Sequence, residues 1–417
     1  MIARLHQLQK RLPNRSVPLA IANVTAFAVQ GIFAVLLLGL FKPEQVALYL
    51  VISQIAFFWN GLALAQSNNA IITNRFDCLN QATRDAWRKS MLRMVLIAPL
   101  AYVAILASDF GSHEIRVSKA SDGAAILFLW AAAISICQMS WYLAQAYLLR
   151  AGTVKQSAWV RALPALVSVT LASAGGLMKY NGSVLLIAGL AGFAVGALFL
   201  VPAWLRKIPT PGNDNARPIS QRDDRSTVLR LVYTLLDGIF FTGLAVIWHS
   251  TYGAEQAGWL LILMRLLGFV PALVSSTWHQ VVLAAPEQKK IRGLWVALAS
   301  STLVIIIAAT VWVLAKHHWL PVRWTGIAQY AWPAALWHTS GCFAATFGYL
   351  AFARGRAVLF SKLSCVLYLI ALAVLIIPTL GLNLAPVSHF QLLAVVFAGL
   401  SLVLTILTLR IKAASAS

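Results

Sequence analysis

Residues 235–269 read LLDGIFFTGLAVIWHSTYGAEQAGWLLILMRLLGF, and the reading of this stretch decides the fold. Two apolar runs flank a more polar turn, and each keeps one charge inside it, Asp237 in the first and Arg265 in the second. About 20 apolar residues is the length of a helix that crosses a bilayer. A charge inside such a run costs on the order of 3 kcal/mol on insertion scales, so residues kept there face a bundle interior or a watery path. The stretch therefore predicts two neighbouring spanning helices with their charges turned inward.

The same pattern extends along the chain. Of 417 residues, 60% are hydrophobic and only 11% charged, which could not keep the surface of a soluble domain wet. Twelve spans are predicted, at 18–40, 44–66, 92–108, 124–148, 157–178, 184–205, 228–249, 257–284, 294–315, 326–353, 358–381 and 388–410. The fold class is an all-α polytopic membrane protein. The longest polar interruption, RKIPTPGNDNARPISQRDDRS at 206–226, has the composition of an irregular linker. The expected organisation is a terminal segment 1–17, an N-terminal lobe 18–205, a linker 206–227, a C-terminal lobe 228–410 and a tail 411–417.

A net charge of +21 suggests nucleic acid only until its placement is followed. The terminal segments and even-numbered connections hold 24 of the 33 Lys and Arg, among them Arg84, Arg93, Arg206, Lys207, Lys289 and Arg354. The odd-numbered connections hold six, namely Lys42, Arg116, Lys119, Lys179, Lys316 and Arg323. This is the positive-inside asymmetry, and it places both termini in the cytoplasm. Attraction to the anionic lipid bilayer surface is a secondary consequence; no nucleic acid is implied. The first apolar run is too long for a secretory signal and lacks a small-residue cleavage site, so it is expected to act as the insertion signal. Ahead of it, Ile2, Leu5, Leu8 and Leu12 fit either a short interfacial helix or a frayed basic tail. Cys78, Cys137, Cys342 and Cys365 form no obvious oxidised pair and no metal-like cluster.

The halves echo each other. QGIFAVLLLGLFKPEQVALYLVISQ at 30–54 matches DGIFFTGLAVIWHSTYGAEQAGWLLILMR at 237–265, with Gly-Ile-Phe at an offset of 207 and Glu-Gln at 211. YLLRAGTVKQSAWVR from Tyr147 parallels YLAFARGRAVLFSK from Tyr349, each ending on a basic residue just inside a helix, Arg161 and Lys362. A parallel duplication of this kind is a transporter architecture. It makes Gln30 the counterpart of Asp237 and Gln54 that of Arg265.

Asp237 and Arg265 each lie about 12 Å into their helix at 1.5 Å per residue, which brings them to within roughly 6 Å of the same depth. Two readings stand. One is a salt bridge that pins the seventh helix to the eighth. The other is a polar cavity in which Arg265 binds an anion and Asp237 keeps it charged and oriented. Arg161 and Lys362 either snorkel to the interface or line the inward mouth with positive charge. Asn60, with Gln66, Asn68 and Asn69, either hydrogen-bonds sugar hydroxyls or caps a helix. Trp248, Trp278 and Trp337 each precede a His. The first two fall near membrane boundaries, where aromatic belts are expected; Trp337 lies nearer mid-helix, placed for stacking on a sugar ring or for helix packing.

No phosphate-binding loop, H-E-x-x-H, G-x-S-x-G or paired-Cys pattern occurs, so ATP hydrolysis and the common hydrolytic chemistries lack their residues. The longest external segment, DFGSHEIRVSKASDG from Asp109, offers Asp109, His113, Glu114 and Asp122 without a triad-like arrangement. The chain therefore reads as a transporter rather than an enzyme. Asp237 stands against Arg161, Arg265 and Lys362 within the spans, a positive balance that favours an anionic substrate such as a phosphate or pyrophosphate head group.

KPEQVALYLVISQIAFFWNGLALAQSNNAIITNR at 42–75 resembles the first external turn and second helix of bacterial polysaccharide flippases, the O-antigen (Wzx-type) branch of the multidrug/oligosaccharidyl-lipid/polysaccharide (MOP) exporter superfamily. LLDGIFF followed by YGAEQAGWLLILMRLLGFVPALVSS resembles its seventh and eighth helices, and YLLRAGTVKQSAWVRAL its fourth-to-fifth connection. The resemblance implies two six-helix lobes alternating between inward- and outward-open states in a bacterial inner membrane. It implies transport of a polyprenyl-diphosphate-linked glycan for surface polysaccharide synthesis, beside polysaccharide polymerase and export proteins. On that reading Arg265 recognises the diphosphate, Arg161 and Lys362 attract the head group, and Gln30, Gln54, Asn60 and Trp337 meet sugar. No cofactor is expected; a coupling ion, H+ or Na+, is left unassigned. The drug-exporter branch of the superfamily is the alternative, but its acidic cation-binding cluster in the first lobe has no match, since the first helix has Asn23 and Gln30 and no carboxylate.

Overall fold

The computed structural model describes residues 16–65, 67–73, 78–108, 120–180, 183–205, 224–284, 290–348, 350–351, 354 and 356–410. The helices, in chain order, are α1 Ser16–Leu40, α2 Pro43–Leu64, α3 Ser67–Thr73, α4 Leu79–Ala107, α5 Ala120–Arg150, α6 Val154–Leu177, α7 Ser183–Leu198, α8 Val201–Leu205, α9 Asp224–Ala284, α10 Lys290–Lys316, α11 Ala328–Phe347, α12 Ala357–Leu375 and α13 Pro386–Arg410. No strand occurs among the described residues. Among the described residues eight helical stretches are long and apolar enough to cross a membrane, and one of them, Leu231–Ser275, contains both charges of the opening stretch. The outer surfaces carry the apolar side chains that lipid requires, among them Leu92, Val95, Leu96, Val103 and Leu106 along one side of α4. The molecule is an all-α polytopic membrane protein.

The departures from the expected spans have local causes. The seventh and eighth helices were expected to end at 249 and restart at 257. Instead helix continues on both sides of a single break at Gly253, whose φ of 87° and ψ of 167° only glycine adopts readily. The 211-residue offset carries Lys42 onto Gly253, and the first half likewise breaks at Phe41–Lys42, between α1 and α2. The expected span 184–205 divides into α7 and α8 because Pro202 has no N–H for the carbonyl of Leu198, and its ring crowds that carbonyl. Pro378 similarly ends α12 early, leaving a 3-10 turn at Ile377–Leu380. The helix expected from 92 begins at Leu79, because the polar sequence LNQATRDAWRKS forms helix as readily as the apolar run it precedes. Most of the terminal segments, of the 206–227 linker and of the external segment from Asp109 lies outside the described residues, as does the whole of 2–12, on which the interfacial-helix reading rests.

The helices group into two compact units. The first comprises the described parts of Met1–Phe33, Ile55–Val103 and Val117–Arg222; the second comprises those of Ala34–Gln54, Ala104–Arg116 and Asp223–Ser417. The end of α1 and the start of α2 therefore pack with the C-terminal helices. Two hydrogen bonds hold them: Arg323 Nη2 donates to the Gly39 carbonyl at 3.0 Å, and Trp324 Nε1 to that of Phe41 at 3.1 Å.

Arginine clamps on helix ends recur elsewhere. Arg84 donates to the carbonyls of Ala203 and Trp204 at the end of α8, and Arg93 to Ala63, Leu64 and the Ser67 hydroxyl at the end of α2. Arg354 donates to Thr408 and Leu409 at the end of α13. The last turn of a helix has carbonyls without intrahelical partners and the negative end of the dipole, so a guanidinium satisfies both needs. Part of the basic charge that reads as topology thus also terminates helices.

Candidate functional site

The second unit holds Asp237, Arg265 and Lys362 of the intramembrane charges. Tyr233 and Asp237 are four residues apart on α9 and share a face. Against them α12 presents Tyr368, whose hydroxyl bonds the Asp237 carboxylate and the Tyr233 hydroxyl. A carboxylate only accepts, so Tyr368 is the donor to Asp237. Arg265, beyond the Gly253 break, sets its guanidinium over the ring of Tyr49 on α2, 5.5 Å from the centroid. Tyr49 is buried and Arg265 half-buried, and a cation–π contact in such a setting is worth about 1 kcal/mol. Each charge of the opening stretch therefore has an aromatic partner, Tyr368 for the carboxylate and Tyr49 for the guanidinium.

The remaining candidates fall in different settings. Lys362 on α12 is exposed while its neighbours Ser361 and Ser364 are buried, so its side chain leaves the unit interior, as snorkelling requires. Arg161 on α6 and Gln30 on α1 are half-buried in the first unit, and Gln54 on α2 is half-buried at the margin of the second. Trp337 is buried in an aromatic column, nearly parallel to Phe397 at 4.1 Å, Phe240 at 5.6 Å and Phe390 at 6.0 Å. That arrangement is the helix-packing use of the residue. Asn60 is fully buried in the first unit, and neither its Oδ1 nor its Nδ2 has a hydrogen-bond partner in the protein.

Trp248, expected in a boundary belt, is instead wholly buried and stacked on His389 at 4.9 Å. His389 Nε2 donates to the Val374 carbonyl, which leaves Nδ1 to accept from the Tyr252 hydroxyl at 3.0 Å. This network ties the part of α9 just before the Gly253 break to the end of α12 and the start of α13. The ring is held there by stacking on His389 and an edge contact with Phe390, while its Nε1 has no hydrogen-bond partner in the protein.

Sequence reasoning missed Tyr49, Tyr233, Tyr368 and His338. His338 is buried, its Nε2 has no hydrogen-bond partner in the protein, and its ring lies against Gly268, one turn from Arg265. The spacing of Tyr233 to Asp237 was the available signal, because two polar groups four apart in an apolar helix share a face. Nothing local marked Tyr49 or Tyr368, which lie far from Arg265 and Asp237 in sequence. No group of three or more His, Cys, Asp or Glu able to hold a metal ion occurs among the described residues.

This arrangement of helices is shared with known membrane proteins. The lipid II flippase MurJ in an inward closed conformation superposes with a TM-score of 0.65 at 11% sequence identity, covering 94% of this chain and 87% of that one. An inward-facing multidrug resistance MATE family transporter of the MOP superfamily gives 0.56 at 13% identity over 94% and 100% of the two chains. The eukaryotic MATE transporter AtDTX14 gives 0.53 at 12% identity over 96% and 95%. No protein-family model matches the chain, and no curated relative matches it in sequence. At these identities the likeness is one of fold: the chain has the helical architecture found in MOP superfamily transporters.

Proposed function

We propose that the protein is a flippase that carries polyprenyl-diphosphate-linked oligosaccharide repeat units across a bacterial inner membrane by alternating access, with both termini cytoplasmic. The observation that carries the reading is the Arg265 guanidinium, kept within a spanning helix against the Tyr49 ring, in a fold shared with a lipid II flippase. A guanidinium binds a diphosphate with paired hydrogen bonds, and a low-dielectric setting strengthens that attraction. Arg265 is assigned to the diphosphate and Arg161 and Lys362 to first attraction of the head group. Gln30, Gln54 and Asn60 are assigned to sugar; Trp337 shapes the wall by packing. Polysaccharide polymerase and export proteins would act on the translocated product.

The test is a strain lacking the gene, with lipid extracts read by mass spectrometry beside the amount of surface glycan. Accumulated polyprenyl-diphosphate oligosaccharide with lost surface glycan supports the reading and reveals the repeat unit in the same spectrum. Unchanged glycan with new drug sensitivity supports instead a cation-coupled small-molecule exporter, a reading favoured by the shared fold of the MATE transporters.

A further inference from the structure

The C-terminal end of α10 holds a cation at a fixed depth on the lipid-facing side. Trp295, Leu298, Ile305, Trp312 and Lys316 recur at helical spacing, so they share one face. Trp295, Leu298 and Ile305 are exposed there, which in a membrane means against acyl chains. The rise from Trp295 to Trp312 is about 26 Å at 1.5 Å per residue, close to the ~30 Å of a hydrocarbon core. Tryptophans at that separation fit the two interfacial belts. Lys316, one turn beyond Trp312, then falls at the level of the head groups.

The Lys316 side chain folds back along α10, with Nζ over the Trp312 ring, 4.6 Å from its centroid. Trp332 of α11 stands beside Trp312 with ring centroids 6.3 Å apart, and it too is exposed. The ammonium therefore does not cap its helix. The carbonyls of Leu314 and Ala315 accept instead from the backbone N–H groups of Trp319 and His318, at 2.8 and 3.2 Å. That closure needs a left-handed residue, and His318, with φ 58°, fills a place where glycine is usual.

The chain then holds Trp319 outward. Trp319 is 73% exposed and Val322 81%, yet the connection that carries them is pinned from behind. Trp259 Nε1 donates to the Arg323 carbonyl at 2.9 Å, and Arg323 and Trp324 donate to Gly39 and Phe41. Two apolar side chains kept out by a fixed backbone need an apolar medium against them. Asp and Glu are absent from residues 288–417, so α10, α11 and their connection carry positive charge alone. The charge asymmetry expects few cations on this side, which leaves Lys316 unexplained by topology.

We propose that this corner binds an anionic phospholipid of the leaflet at the C-terminal end of α10, the outer leaflet on the proposed topology. The lipid phosphate accepts a hydrogen bond from the Lys316 ammonium, and exposed His317 and His318 add ring N–H donors. One acyl chain lies along the face from Trp312 to Ile305, while Trp319 and Val322 enter the interface beside the head group. The apolar track selects a lipid over free phosphate, and the uncompensated positive charge selects an anionic lipid over a zwitterionic one. The site uses neither Asp237 nor Arg265 and does not depend on what is transported.

The test uses the full chain in nanodiscs doped with phosphatidylglycerol that carries a photoactivatable head group, with the labelled peptide identified by mass spectrometry. Labelling is expected within residues 312–332. Lys316→Gln should reduce it about fivefold, the factor equivalent to ~1 kcal/mol for one basic residue beside anionic lipid. Lys316→Arg should restore it, Trp319→Ala should reduce it, and Arg356→Gln at the start of α12 should leave it unchanged. Thermal melting of Lys316→Gln should match wild type, which separates binding from a structural role. Labelling only outside 312–332, equal labelling in both Lys316→Gln and Trp319→Ala, or a loss that arginine does not restore overturns the proposal. So does equal labelling by the phosphatidylcholine analogue, which would make the corner an ordinary boundary contact. Competition by excess inorganic phosphate also overturns it, in favour of a site for free anions.

Discussion

Gly258 sits where α9 meets the first turn of α2 in the second unit. A Cβ built there overlaps the Pro43 carbonyl oxygen and lies 2.6 Å from the Pro43 carbonyl carbon and 2.9 Å from its Cα. Carbon atoms rest at ~3.5 Å or more, so Gly258→Ala must separate two backbones by close to an ångström. A flexible side chain could turn aside; a backbone carbonyl held at a helix start cannot. Overpacking costs about 1–3 kcal/mol, and a backbone clash belongs at the upper end. Alanine gains about 1 kcal/mol of helix propensity over glycine, so the net loss is about 2 kcal/mol. Gly399 on α13 supplies the contrast, because nothing lies within 4 Å of its added Cβ. There the propensity gain stands alone. Thermal unfolding of detergent-purified protein, followed by loss of the monodisperse peak, should show Gly258→Ala melting below wild type and Gly399→Ala at or above it. Equal melting of the two variants would refute the close approach and with it the packing of α2 against the C-terminal helices.

Other outcomes follow from single contacts. Trp324→Phe removes the donor to Phe41 and leaves a buried carbonyl unpaired, so it should cost about 1–3 kcal/mol in the same melting assay. Arg354→Met keeps the apolar stem but uncaps α13; hydrogen exchange should quicken at Thr408–Arg410 while the rest of the helix holds. Asn60→Leu should leave stability unchanged or raise it, because neither amide atom loses a protein partner; a clear loss of stability would reveal an unseen ligand or water there. Arg265→Lys keeps a charge but loses the planar fork and the stack on Tyr49. It should lower surface glycan well below wild type with carrier-linked repeat accumulating, whereas full glycan would argue against diphosphate recognition.

The helices were legible because hydropathy is a local property: an apolar run must be helical in lipid whatever surrounds it. Errors fell where one residue overrides a run. Pro202 and Pro378 cut helices short, and Gly253 let two helices approach with no loop between them. The polar front of α4 escaped notice for the opposite reason, since its helix is not required by lipid and is held by contacts such as Arg84 on the end of α8. The candidate site was legible only in part. Asp237 and Arg265 declare themselves by the cost of their burial, but the partners that define their chemistry do not. Tyr368 is 131 residues from Asp237 and Tyr49 is 216 from Arg265, and both are ordinary tyrosines in apolar helices.

By itself the sequence determined the solvent of this protein, the existence and approximate position of its apolar helices and the positions where polar groups resist lipid. Each follows from the transfer free energy of a segment, which needs no knowledge of neighbours. Tertiary structure decided which tyrosine meets each charge, which tryptophans plug the interior and which arginines end helices. Those are settled by rotation and register between helices, and inside a bilayer they depend on packing and hydrogen bonds between side chains far apart in the chain, because lipid rewards every apolar face alike.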